Sequence, residues 1–194
     1  SHAKGDYIEA ERQYKFLIDH GYYHPSIFLN YGVISKKNGN IKRALELYEK
    51  AINLYPNKPE TYSNLGLLYC DLNKKQKAET YIRKAIKIKP DYTDGLFNLG
   101  IVLQDQGKIE EAIIFYKKVI KYKPKSFAAY LNIGAILKDM GDFEQAEIYT
   151  RNALKIQSNS NLAYINLALI LHHKGKLNDA TVCIKQAIKL NPEN

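Results

Sequence analysis

Five asparagines recur 34 residues apart: Asn30, Asn64, Asn98, Asn132 and Asn166. A carboxamide carries one acceptor oxygen and two N–H donors, the set that complements the C=O and N–H of a peptide bond. An evenly spaced row of them suits the holding of a polypeptide backbone; the competing use is a bond to a neighbouring helix. A second column, seven places further on, is Lys37, Asp71, Asp105, Asp139 and His173. Carboxylates there would receive lysines or arginines of a partner. The alternative is a pair across the local turn, Asp71 with Lys74 and Asp105 with Lys108. Asp139 lacks that option, because Asp142 stands at the matching place.

Other reactive side chains form no catalytic pattern. His172 and His173 are adjacent, so on a helix they diverge and do not readily share one ion. His173 stands one repeat along from Asp139, which leaves a polar contact open but suggests no acid–base pair. Cys70 and Cys183 are isolated in the sequence, with no metal-ligand spacing and no expected disulfide. No glycine-rich phosphate loop follows a strand. The expectation is a chain with no catalytic residues, no metal and no cofactor.

Composition narrows the setting. Of the 194 residues, 45% are hydrophobic and 25% charged, which suits a folded chain rather than a disordered one. No apolar run approaches the ~20 residues needed to span a bilayer, and no signal-peptide pattern opens the chain. A reducing, cytoplasmic setting is expected. Ser1-His2, without an initiator Met, reads as the start of an excised fragment. The formal net charge of +9 keeps nucleic acid in view until the lysines are placed. Many fall late in the second half of each repeat, for example Lys50, Lys84, Lys87, Lys118 and Lys155. There they complement a helix dipole and solvate an outer face, so nucleic acid is disfavoured.

The elements that position these residues follow from the period. Blocks of 34 give full units at 25–58, 59–92, 93–126, 127–160 and 161–194, and residues 1–24 align with the second half of another. With Pro25 as position 1, position 20 is Ala10, Ala44, Ala78, Ala112, Ala146 and Ala180. Position 27 is small in the full units: Ala51, Ala85, Val119, Ala153 and Ala187. Position 15 is Gly5, Gly39, Asn73, Gly107, Gly141 and Gly175, the types that end a helix in the left-handed conformation. Position 32 is Pro56, Pro90, Pro124 and Pro192, with Ser158 as the exception. Apolar stripes at helical spacing flank position 15. Each unit is therefore predicted to be a helix-turn-helix hairpin, about 14 residues per arm, that buries its apolar face only by stacking.

On these residues the chain resembles the tetratricopeptide repeat (TPR), which has an aromatic, Leu-Gly, Tyr, Ala, an aromatic, Ala and Pro at these offsets. Phe28, Tyr62, Tyr130 and Tyr164 take the first aromatic place, and Tyr48 and Tyr116 the second. The long unbroken array is most similar to the TPR regions of O-linked N-acetylglucosamine transferases and their bacterial relatives. Ser35, Gly95, Thr150 and Gln157-Ser158 depart from the pattern, and the joint after the fourth full unit is expected to be looser.

The resemblance implies an all-α, right-handed superhelical solenoid whose first arms line a concave groove. Carried over, the peptide-binding residues are the five asparagines, Leu29, Phe97 and Leu131 at position 5, Leu67 and Ile101 at position 9, and Asp71, Asp105 and Asp139. The implied function is non-catalytic binding of a protein or extended peptide, with some preference for basic residues. The alternative is a substrate-recruiting segment of a larger enzyme such as a protein glycosyltransferase. The chaperone version of the repeat clamps an acidic C-terminal tail with Lys and Arg at positions 2, 5 and 6. Here position 2 is Ser26, Glu60, Asp94, Ala128 and Leu162, and position 5 holds no cation, so such a partner is disfavoured. Self-association through uncapped end repeats is a further expectation, since the chain begins mid-unit and stops at Pro192-Glu193-Asn194.

Overall fold

The computed structural model describes residues 2–191, with side chains from residue 6 onward. Among these residues there are eleven α-helices and no strand: α1 (His2–Asp19), α2 (Pro25–Lys37), α3 (Ile41–Leu54), α4 (Pro59–Asp71), α5 (Lys75–Ile88), α6 (Thr93–Asp105), α7 (Ile109–Tyr122), α8 (Phe127–Asp139), α9 (Phe143–Ile156), α10 (Asn161–His173) and α11 (Leu177–Leu190). They fall into two compact units, Ser1–Gly107 with α1 to α6 and Lys108–Asn194 with α7 to α11.

Sharp turns join the arms, and the position-15 column explains them. Gly39, Gly107, Gly141 and Gly175 have φ between 72° and 83°, and Asn73 has φ 55°. In that conformation Gly39 N donates to Lys36 O at 2.9 Å and Asn40 N to Ser35 O at 2.8 Å. These paired bonds satisfy carbonyls that the helix end would leave orphaned. Gly141 and Gly175 close their turns in the same way. Gly5 corrects the expected column: it lies inside α1. A helix interior tolerates glycine at a cost of about 1 kcal/mol relative to alanine.

The second arms end one residue before Tyr55, Lys89, Lys123 and Gln157. Because α9 stops at the same place without a proline, proline marks the stop and is not its sole cause. Pro192 lies outside the described residues. The Ser158 joint is packed around buried residues. Ser160 Oγ accepts from Ala163 N at 3.2 Å, capping α10, and Ala153, Ala163 and Leu131 form one buried cluster there.

Small residues let the arms close. A Cβ on Gly32 would clash with the Tyr48 ring, and one on Gly66 would strike Ile82 and come within 3.1 Å of the Ala78 carbonyl. A Cβ on Gly134 would lie 2.5 Å from Thr150 Oγ1. Position 8 of the first arm thus packs onto position 24 of the second. The alanines at positions 20 and 27 are buried along the same seam. The departures from the pattern also have local causes. Gly95 lies against the Tyr92 ring, where a Cβ would clash. Ser35 is buried and donates to Glu11 Oε1 at 3.1 Å, and Asn38 donates to the other oxygen at 2.8 Å, tying α1 to α2.

In Lys108–Asn194 an ionic brace links α9 to the α10–α11 turn. Glu147 accepts from Arg151 Nε at 2.8 Å and from Lys174 Nζ at 2.9 Å, and Lys176 Nζ lies 3.8 Å away. Burial pushes the Glu147 carboxyl up, but the hydrogen bonds and charges of Lys174 and Arg151 outweigh it and hold the group below its usual range.

Three outcomes follow for folding, each readable by denaturation. Gly66→Ala, which in an open helix would gain about 1 kcal/mol, is expected instead to lose about 1–3 kcal/mol through overpacking. Thr150 is fully buried and its hydroxyl has no partner, so the isosteric Thr150→Val should gain roughly 1 kcal/mol. Glu147→Gln should destabilise the fold at neutral pH. A depressed carboxyl contributes fully above its unfolded value near 4.5, and its contribution disappears as pH falls through the lower folded value. The wild-type advantage should therefore vanish in acid.

Candidate functional site

In Ser1–Gly107 the first arms α2, α4 and α6 touch in succession, and each sits against the second arm before it. This carries Asn30, Asn64 and Asn98 onto three adjacent helices. Asn30 is exposed, and Asn64 and Asn98 are half-buried. Asn98 is partly committed inside the fold: its Nδ2 donates to Ser63 Oγ, 3.1 Å away on the preceding first arm. Ser63 itself is buried. Beside it the Tyr92 hydroxyl is pushed up to about 12, by burial first and then by Asp94 and Glu60, against the opposing hydrogen bond of Ser63. Leu29, Leu67, Phe97 and Ile101 are half-buried along the same arms.

Two members of the acidic column meet lysines of the preceding repeat, which the spacing did not reveal. Asp71 pairs with Lys36, from the preceding first arm, and not with Lys74 across its own turn. The Asp105 carbonyl accepts from Lys75 Nζ at 2.6 Å. Between these groups, burial raises the half-buried Cys70 thiol. Asp105 and Asp71 raise it further, and Lys36 and Lys75 pull the other way. A thiol so protonated is a poor nucleophile.

In Lys108–Asn194 two of the expected contact residues are buried. Leu131 is only 8% exposed and belongs to the joint core with Ala153 and Ala163; Asn166, at 7%, is buried within α10. Stacking of α10 on the α8–α9 hairpin covers Leu131, which a single hairpin viewed alone would leave open. Asn132 stays half-buried and Ala135 likewise. Asp139 is exposed and pairs with its neighbour Lys138 at 2.9 Å. His173 stacks on Phe143 with ring centres 4.7 Å apart and planes 6° from parallel, so its ring face is engaged by an aromatic.

Part of the basic outer surface is engaged too. Lys50 lies over the rings of Tyr23 and Phe28, Lys84 over Tyr81, and Lys118 over Phe115. Among the described residues no group of three or more His, Cys, Asp or Glu could hold a metal ion. No described helix is long and apolar enough to cross a membrane. One feature escaped the sequence reading, a cleft of about 790 Å³ between α10 and α11. Its apolar walls occupy ordinary repeat positions, and no described helix covers them.

Comparisons with known proteins agree with this architecture. Family models described as TPR repeat match residues 32–73 and 102–141. Models described as tetratricopeptide repeat match 59–92 and 162–194, 81–114, and 127–160. The photosystem I assembly protein Ycf3 of Synechococcus sp. (strain CC9311) is 36% identical over 72 residues, 34% of this chain and 39% of that protein. The CTR9 homolog of Arabidopsis thaliana is 32% identical over 85 residues, 42% of this chain and 8% of that protein. The chain thus spans less than half the length of either relative. Among solved structures YrrB, described as a TPR protein with an unusual peptide-binding site, superposes with a TM-score of 0.73 at 18% identity, over 93% of each chain. These matches establish the repeat and its all-helical fold, not the narrower likeness to transferase arrays. On the repeat columns, the hairpins they build and these matches together, the chain belongs to the tetratricopeptide repeat family.

Proposed function

We propose that the chain is a non-catalytic scaffold that holds an extended polypeptide along the accessible faces of its first arms. The observation that carries this reading is the succession α2, α4 and α6, with Asn30 and Asn64 accessible and Leu29, Leu67, Phe97 and Ile101 half-buried around them. Packed helix axes lie about 10 Å apart, and three residues of extended peptide advance about 10 Å. A carboxamide on each arm therefore meets a backbone at every third residue, and the apolar flanks supply burial. Asn132 serves the same role in Lys108–Asn194, where the exposed Asp139 favours a basic side chain in the partner. The family likeness to YrrB supports peptide binding as the mode, and the Ycf3 match supports a role among assembly proteins.

A second reading makes the chain the substrate-recruiting part of a larger enzyme, such as a protein glycosyltransferase. It draws on the long unbroken array of repeats. Loss of modification when the same carboxamides are removed from the full-length protein would favour it.

The test uses extended peptides selected from a displayed library, with affinity measured by calorimetry. Asn64→Ala and Asn132→Ala are each expected to weaken binding about tenfold, or roughly 1.4 kcal/mol. N-methylation of alternate peptide bonds should abolish it, and exchange of neutral side chains should matter less. Asn98→Ala should mainly lower stability, by about 1 kcal/mol, through its lost bond to Ser63. Binding that is indifferent to both the asparagine changes and the backbone methylation would refute the proposal.

A further inference from the structure

The charges of Ser1–Gly107 are sorted by arm. On α4 the charged residues are Glu60 and Asp71, and on α6 Asp94 and Asp105, with no Lys or Arg on either. Between these acidic arms, six lysines and Arg83 fall from Lys74 to Lys89, against the single carboxylate of Glu79. That carboxylate is already engaged, since Arg83 Nε donates to it at 2.8 Å. Ala78, Ile82 and Ala85 turn into the core, and Lys77, Thr80, Arg83, Lys84 and Lys87 are exposed on the other side of α5.

Helix stability does not account for this sorting. Cations complement a helix dipole in its last turn and oppose it in the first, and like charges three or four places apart repel. Yet Lys74, Lys75 and Lys77 crowd the start of α5, whose described residues give it neither a carboxylate in the first turn nor a side-chain cap. Each of the other second arms in the full repeats has one or the other. Asn40 caps α3, Glu110 and Glu111 open α7, Asp142 caps α9, and Asp179 lies in the first turn of α11. Solvating a face calls for both signs interspersed, as Glu144, Glu147, Arg151 and Lys155 are on α9. Lys75 has a use within the fold, the Asp105 carbonyl, whereas Lys74 and Lys77 are exposed.

The kind of partner follows from the chemistry of the face. Among the described residues of α5, every exposed one is polar, so the face has nothing to insert into a bilayer. The rings beside it, Tyr69 and Tyr81, stack on each other with centres 5.3 Å apart. Lys77 lies over Tyr69 and Lys84 over Tyr81, so the rings are engaged within the fold rather than offered to a nucleobase. We infer that the outer face of α5 docks an acidic segment of a partner polypeptide, whose clustered Asp and Glu carboxylates pair with Lys77, Lys84 and Lys87. These three share a stripe about 15 Å long, at 1.5 Å per residue. Ammonium groups already held over rings lose less freedom on pairing. Complementary charge of this kind steers and selects a partner more than it tightens the complex. The surface is separate from the asparagine row, and neither depends on the other.

The probe is a fluorescein-labelled deca-glutamate peptide, titrated with the intact chain at about 0.05 M salt and followed by anisotropy. Saturable binding is expected, and it should weaken as salt rises. Lys77→Gln, Lys84→Gln and Lys87→Gln made together should weaken it at least tenfold. Lys155→Gln, Lys185→Gln and Lys189→Gln together remove the same charge from exposed places on α9 and α11, and should leave it nearly unchanged. Asn64→Ala should have no effect, which separates this surface from the extended-peptide site. Equal losses in the two triple variants would overturn the inference by reducing the effect to net charge, and so would no binding at that salt. An oligouridylate of equal charge that binds more tightly than the peptide and suffers the same tenfold loss would overturn it in favour of nucleic acid. Phosphatidylserine vesicles that capture the wild type but not the α5 variant would overturn it in favour of a membrane.

Discussion

The close approach of the two arms at positions 8 and 24 is the contact on which the other features of each hairpin depend. Gly32 lies under Tyr48, Gly66 against Ile82 and Gly134 against Thr150, each with no room for a methyl group. That proximity brings the alanines at positions 20 and 27 into the same seam and leaves one side of the first arm free. Interiors are packed as densely as crystals, so a single extra carbon there must be absorbed by moving an arm. Tyr48 shows how complete the enclosure is: burial, with a smaller contribution from Asp71, pushes its hydroxyl up to about 12.

The carboxamide and acidic columns differ in how much of their hydrogen-bonding capacity the fold takes up. Asn98 commits a donor to Ser63, and Asp71 is held by Lys36. Asn30 and Asn64 keep more of their capacity accessible. A row that looks uniform in the sequence is therefore graded in the structure, from exposed Asn30 to buried Asn166. The gradation follows from which neighbouring arm overlies each position.

Much of the fold was legible because the period is local. Gly39, Gly107, Gly141, Gly175 and Asn73 act within a few residues of themselves, so residue type alone forecasts their left-handed turns. What the sequence hid were relations between repeats. The Lys36–Asp71 pair joins two first arms, Glu147 reaches Lys174 across a joint, and Leu131 is covered by a helix of the next repeat. Spacing within one unit pointed to Lys74 for Asp71 and to solvent for Leu131, and both were outcompeted by contacts one repeat away. Gly5 stands in the same column yet lies inside α1, so residue type at position 15 does not by itself dictate a turn.

The turn after α2 has a consequence for the chemical lifetime of the protein. Asn38-Gly39 is the dipeptide most open to cyclisation, in which the glycine nitrogen attacks the asparagine side-chain carbonyl and the amide is lost as ammonia. Here that nitrogen donates to the Lys36 carbonyl at 2.9 Å, and the Asn38 amide is anchored to Glu11 at 2.8 Å. The attacking atom is engaged and the target is turned towards α1. The same contacts that dock the first helix therefore slow the ageing of the chain at its most perishable bond, and a shortened chain lacking α1 would deamidate there first.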